Sequence, residues 1–170
     1  MAEIVVEDGT GVVTANAYAT VEEIDDINSY RVGSAWNSLT DEDQKANLII
    51  WATNIVDYRV KWFGKKTHAT QGLAWPRTGT RDCEGNCIDD NLVPKQVKEV
   101  VAILANHLID GDPEAADTSS KITMIQADVV VIKLDPYAPE YKFPNGIDNI
   151  LRCLGRVSMG RGGPKFIVKY

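Results

Sequence analysis

The sequence predicts a mainly α protein, a helical bundle of three to four helices with a small β-hairpin or β-ribbon element and a flexible C-terminal arm. Three observations predict it. Three amphipathic stretches each open at a helix-starting residue and close before a glycine. Short β-prone runs lie only outside those stretches. The residues after Leu154 combine four glycines with a run of bases. At 170 residues the chain is long enough for one core, so residues 1–154 read as a single helical domain with an N-terminal hairpin and residues 155–170 as a Gly-rich basic arm.

The elements follow in order. Ile4-Val5-Val6 and Val12-Val13 flank the turn pair Asp8-Gly9, the pattern of a hairpin. Thr20 and Glu23 have the spacing of a capping box, so a first helix runs from Val21 to Arg31 and breaks at Gly33. Thr40 and the acids Asp41, Glu42 and Asp43 suit the positive end of a helix dipole and open a second helix, Asp41 to Phe63. Its stripe of Leu48, Trp51, Ala52, Ile55, Tyr58 and Trp62 makes it the central core helix, with Trp51 and Ile55 inside. Gly64 fits the left-handed position past its end. From Thr67 to Val93 the pattern dissolves into a long connection that needs function or packing of its own. Pro94 starts a third helix, which reaches Asp110 before Gly111 and Pro113. Ile122 to Leu134 reads as a β-ribbon turning near Ala127-Asp128; its apolar Val129-Val130-Val131-Ile132 calls for cover on both faces, which a neighbouring subunit could supply. Ile147, Ile150, Leu151 and Leu154 suggest a short last helix.

Charge and composition remove several function classes. A net charge of -6 argues against a general nucleic-acid coat, which needs clustered Lys and Arg. The charge is unevenly spread: no acid follows Asp148, while Arg152, Arg156, Arg161, Lys165 and Lys169 make the tail basic and leave an acidic body. No apolar run approaches the ~18 residues of a membrane span, and the first residues lack the basic and apolar parts of a signal peptide, so a soluble cytoplasmic protein without membrane contact is expected. Three cysteines make no secreted-type disulfide framework, and a reduced state is expected.

Candidate chemistry is thin. Cys83 and Cys87 with His68 and His107 are zinc-ligand types at the wrong spacing, so two ordinary cysteines on a Gly85-Asn86 turn are preferred, with a Cys83–Cys87 pairing left open. A calcium loop over Asp82 to Val93 fails because Cys87 and Val93 stand where the turning Gly and the bidentate Glu belong. Gly155 to Gly160 has the outer spacing of a phosphate loop, but Arg161 and Gly162 replace its Lys and hydroxyl residue. No nucleophile setting is recognisable, so neither an enzyme nor a cofactor is expected. Arg59, Lys61, Lys65 and Lys66 interleave with Tyr58, Trp62 and Phe63 as in single-strand binders. A core stripe beside dipole-complementing cations explains the same residues and is the preferred reading.

Val6-Glu7-Asp8-Gly9-Thr10-Gly11, Ala15-Asn16-Ala17-Tyr18, Ala35-Trp36, Gln71-Gly72-Leu73-Ala74-Trp75-Pro76-Arg77 and Val93-Pro94, in that order, resemble tailed-phage head-tail connector (adaptor, or neck) proteins, often labelled DnaT-like single-stranded-DNA-binding proteins. The resemblance implies a virion protein assembled in the host cytoplasm. It implies a homo-oligomeric ring, a dodecamer, between the portal protein and a downstream tail, stopper or nozzle protein. Double-stranded DNA would pass through the ring without sequence-specific binding and without catalysis. On this reading Trp75, Pro76 and Arg77 hold the long loop at a subunit contact. Arg156, Arg161, Lys165, Phe166, Ile167, Val168 and Tyr170 form a docking arm toward subunit or portal. The alternative is a single-stranded-DNA-binding replication accessory protein.

Overall fold

Thr20 accepts a hydrogen bond from the Glu23 amide while the Glu23 carboxylate accepts one from the Thr20 amide, and this closed box starts helix α1, Val21–Ser29. The computed structural model describes residues 3–111, 122–126, 131–134, 144, 146–158. Asp41, whose carboxylate accepts from the Asp43 and Gln44 amides, starts α2, Glu42–Arg59. Pro94 precedes α3, Lys95–Leu108, and the short α4 spans Ile147–Leu151. A single 3-10 turn, Ala35–Ser38, buries Trp36, whose indole N–H donates to Asp25 at 2.6 Å.

Each helix lies inside the span expected for it, and the ends differ for a physical reason. The second helix stops at Arg59 rather than Phe63 because β1, Val60–Trp62, pairs antiparallel with β6, Gly155–Val157. The pairing sets Val60 against Val157, Lys61 against Arg156 and Trp62 against Gly155. A Cβ at Gly155 would lie 2.7 Å from the Val60 side chain, so only glycine lets the strands approach. Residues 155–157 therefore belong to the body and not to an arm. A second ladder joins β2, Lys65–Lys66, to β3, Arg77–Thr78, and a third joins β4, Ile122–Gln126, to β5, Val131–Leu134. The content is thus mixed: four α-helices and three two-stranded antiparallel sheets among the described residues.

Two compact units divide the chain, one of Met1–Gly111 with Pro144–Val157 and one of Asp112–Phe143 with Ser158–Tyr170. In the first, α2 packs on α3, and α1 on both. Ile24, Ile49, Ile55, Val56, Val97, Val101, Leu104 and Leu151 fill the space between them. The described part of the second is the β4–β5 ribbon, formed where the sequence placed it, with Ser158.

Three expectations are corrected. The N-terminal segment is not a hairpin: Val6 makes one isolated parallel bridge to Ala17, and the amides of Gly9 and Gly11 go instead to the buried Glu7 carboxylate, at 2.9 Å each. A side-chain acceptor inside the turn wins over a strand ladder there. Trp51 is not in the core but 44% exposed, because α2 is apolar on both sides and Ile49, Ala52, Ile55 and Val56 take the inner one. The cysteines are not all reduced: Cys83 pairs with Cys153, 70 residues away, and Cys87 is free and exposed.

Candidate functional site

The segment Gln71 to Arg77 is the most heavily wired part of the molecule. Gln71 is buried; its Oε1 accepts from the His68 amide, and its Nε2 donates to the carbonyls of Leu73 and Pro76 at 2.9 and 3.0 Å. The Trp75–Pro76 peptide is cis. Beneath it the Tyr18 hydroxyl donates to Asp57 Oδ1 at 2.6 Å and accepts from the amides of Ala74 and Trp75. Asp57 Oδ2 accepts the Ala74 amide as well, at 2.8 Å. Burial pushes the Asp57 carboxyl above the usual carboxylate range, against the pull of the Tyr18 and Ala74 donors. Burial, and then the neighbouring Asp57 charge, hold the Tyr18 phenol well above its ordinary value.

Trp75 and Pro76 are buried within the chain itself, and the Trp75 ring meets Trp62 edge-on at 5.7 Å between centroids. Arg77 pairs with no carboxylate among the described residues. Its guanidinium donates to the carbonyls of Phe63, Gly64 and Ala74 and so ties the loop to the turn after β1. What these residues hold is the loop itself.

The cations named from the sequence come together on the two small ladders. Lys61 stands across from Arg156, and Lys66 across from Arg77, so each ladder sets cation against cation, an arrangement that costs free energy unless something absorbs the charge. Arg77 is absorbed by carbonyls, and Lys66 donates to the Gln71 carbonyl. Arg156 lies over the Phe63 ring at 6.0 Å, within cation–π range. Lys61, Lys65 and Arg156 are exposed and make no ion pair with a carboxylate among the described residues. Arg59 closes α2 just before them. The pairing of Arg156 with Lys61 was not legible in the sequence, because the two residues lie 95 positions apart on two strands of three residues each. Arg161, Lys165, Phe166, Ile167, Val168 and Tyr170 lie outside the described residues.

Glu7, Tyr18 and Asp57 were also missed as organising residues. The only signal for them is the proximity of Glu7 to Gly9 and Gly11; the two others act across 56 and 17 positions. Among the described residues no three His, Cys, Asp or Glu side chains gather as a metal site, and no helix is long and apolar enough to cross a membrane.

Comparison with curated proteins and with solved structures returns no match. A family model described as "Putative DnaT-like ssDNA binding protein" matches residues 2–168, nearly the whole chain. With a match of that extent, the chain belongs to the DnaT-like ssDNA binding protein family.

Proposed function

We propose that the protein is a head-tail connector of a tailed phage: a structural subunit that forms a ring under the portal, joins capsid to tail and lets DNA pass. The observation that carries this reading is the ribbon of β4 and β5, a two-stranded element in a compact unit of its own. A two-stranded hairpin is marginal by itself in water, and among the described residues no further strand pairs with either outer edge. Its strands read Ile-Thr-Met-Ile-Gln and Val-Ile-Lys-Leu, apolar enough to gain from cover. A neighbouring copy completes such an element, and repetition of that contact around an axis gives a ring. The ordered motifs shared with connectors support the same reading, as does a wired Gln71–Arg77 loop whose polar groups go into positioning backbone.

The test incubates the purified protein with portal-bearing, tail-free capsids and sediments the particles. Co-sedimentation in a fixed ratio, lost when the portal is absent, is the expected outcome. Failure to co-sediment removes the reading.

A second reading, single-stranded-DNA binding in replication, is favoured by the family's description and by the exposed Lys61, Lys65 and Arg156 beside Phe63. Bases stacking on rings with cations on phosphates would be its mechanism. Tight binding of single strands that weakens steeply with salt and disappears in Lys61→Ala with Lys65→Ala would put this reading first.

A further inference from the structure

The connection between β3 and α3 contains a tight hairpin. The Ile88 amide donates to the Thr80 carbonyl, Arg81 and Cys87 form an antiparallel bridge, and the Asp82 amide donates to the Asn86 carbonyl at 2.9 Å. The Asp82 carboxylate closes the turn by accepting from the amides of Glu84 and Asn86. Cys83 stands inside that turn and Cys87 on its returning arm, one diagonal step away across the Arg81 and Cys87 pair. Diagonal neighbours of a ladder lie about 7–8 Å apart, and a disulfide needs Cα atoms within about 7 Å. A small adjustment of the turn closes that difference, and the turn has room for it, since a Cβ at Gly85 would meet nothing within 4 Å.

Two sulfurs are therefore placed to bond Cys83. The bond runs to Cys153, which is half-buried, while Cys83 is exposed and Cys87 is exposed and free. A disulfide sulfur open to solvent beside a thiol is the exchangeable kind, because exchange needs access for the attacking sulfur. Cys153 lies between α4 and β6, in the stretch Pro144–Val157 that belongs to the first compact unit and continues at Ser158 into the second. That stretch is fastened by the buried Ile147 and Leu151, by the Phe63 amide on the Leu154 carbonyl, by the β1–β6 ladder and by the disulfide. The ladder is three pairs long and sets Lys61 against Arg156, so charge opposes its closure. The covalent bond just before β6 works against that repulsion.

We infer that the Cys83–Cys153 bond is an exchangeable lock on β6, opened by Cys87. The Cys87 thiolate attacks Cys83 Sγ. A Cys83–Cys87 bond forms as the Cys83–Cys153 bond breaks, and the electron pair leaves on Cys153 Sγ, which takes up the proton that Cys87 gave up. Each form holds one disulfide and one thiol, so no oxidant or reductant is consumed. Locked, β6 is stapled to the long connection. Unlocked, the staple shrinks to the hairpin, and β6 is held by hydrogen bonds and packing alone. The lock goes beyond the connector reading and does not depend on it.

The test uses the full chain, oxidised with glutathione disulfide and purified in acid, where thiols are protonated and exchange stops. Peptide mapping after acid quenching assigns the pairing. Returned to neutral pH without added thiol, the wild type should convert part of its Cys83–Cys153 form into the Cys83–Cys87 form within roughly minutes to hours, at a rate unchanged by about tenfold dilution. Cys87→Ser should keep the Cys83–Cys153 bond throughout, and oxidised Cys153→Ser should hold the Cys83–Cys87 bond. In that second variant the amides of Phe63 and β6 should exchange hydrogen faster than in Cys87→Ser by about tenfold or more, at rates that hardly respond to low urea, the sign of a local opening. Should Cys87→Ser lose the wild-type melting curve, wild type alkylated at Cys87 replaces it. A wild type that keeps only the Cys83–Cys153 bond, one whose cysteines all stay reduced, or conversion that slows on dilution overturns the lock. So do equal amide exchange in the two variants and rates that climb with urea in step with that of Ile55.

Discussion

Tyr18 and Asp57 show how a few polar atoms hold a loop that has little regular structure. The hydroxyl of Tyr18 and the carboxylate of Asp57 together serve the amides of Ala74 and Trp75, the two N–H groups that precede the cis Trp75–Pro76 peptide. Tyr18→Phe leaves the Trp75 amide buried without its acceptor, and a loss of about 1–3 kcal/mol in urea unfolding is the expected outcome. Asp57→Asn turns an amide group toward the Ala74 N–H and should cost a similar amount. The pH dependence follows from the raised pKa of Asp57. Its carboxyl holds a proton more tightly in the fold than in the unfolded chain, so protonation favours folding. The burial penalty is present at neutral pH and falls away as pH drops through the folded value toward the ordinary carboxylate range near ~4. The stability gap between wild type and Asp57→Asn should therefore widen in favour of wild type from pH 7 downward; a gap that stays flat or narrows contradicts the assignment. The motif at Gln71 to Arg77 was visible in the sequence as a motif, but its anchors were not. Tyr18 lies 56 positions before the amide it serves, and no local pattern marks so distant a partner.

Among the elements, helix starts were legible and helix ends were not. Thr20 with Glu23 and the acids from Asp41 act within one turn, so the sequence contains the whole cause. The end of α2 depends on β6, which arrives from the other end of the chain, and residues 60–62 are drawn out of the helix by that pairing. Facing was hardest to read on α2, where Lys45 and Thr53 are buried while Trp51 and Tyr58 are exposed, so apolar and polar residues do not separate by side. Ile55 is 1% exposed, and Ile55→Ala should cost about 2–5 kcal/mol in an unfolding titration. Trp51, assigned to the same stripe from the sequence, is on the outer side, and Trp51→Ala should stay within about 0.5 kcal/mol of wild type. Equal losses at the two positions would contradict the facing of α2. The Cys83–Cys153 bond staples the long connection to the turn between α4 and β6. Closing a loop across 70 positions, it should add about 2–4 kcal/mol to the oxidised protein, read as a drop in the unfolding midpoint of Cys153→Ser. An unchanged midpoint would mean the bond does not form. Three cysteines in a sequence allow three pairings, and only the approach of residues 83 and 153 in space selects this one.

The whole molecule combines a helical unit, whose loop polar groups are largely spent on its own backbone, with a two-stranded ribbon in a second compact unit. The acidic surplus of the residues before the tail disfavours retention of duplex, while the cations gathered on the β1–β6 and β2–β3 ladders offer one small surface of opposite sign. Those features suit a subunit that is held by its neighbours and lets DNA pass. The most direct measurement is an averaged electron-microscopic image of the portal vertex of tail-free capsids, before and after the purified protein is added. A closed ring of extra density under the portal, absent from capsids without portal, is the predicted result; a vertex unchanged by saturating protein would contradict the connector assignment.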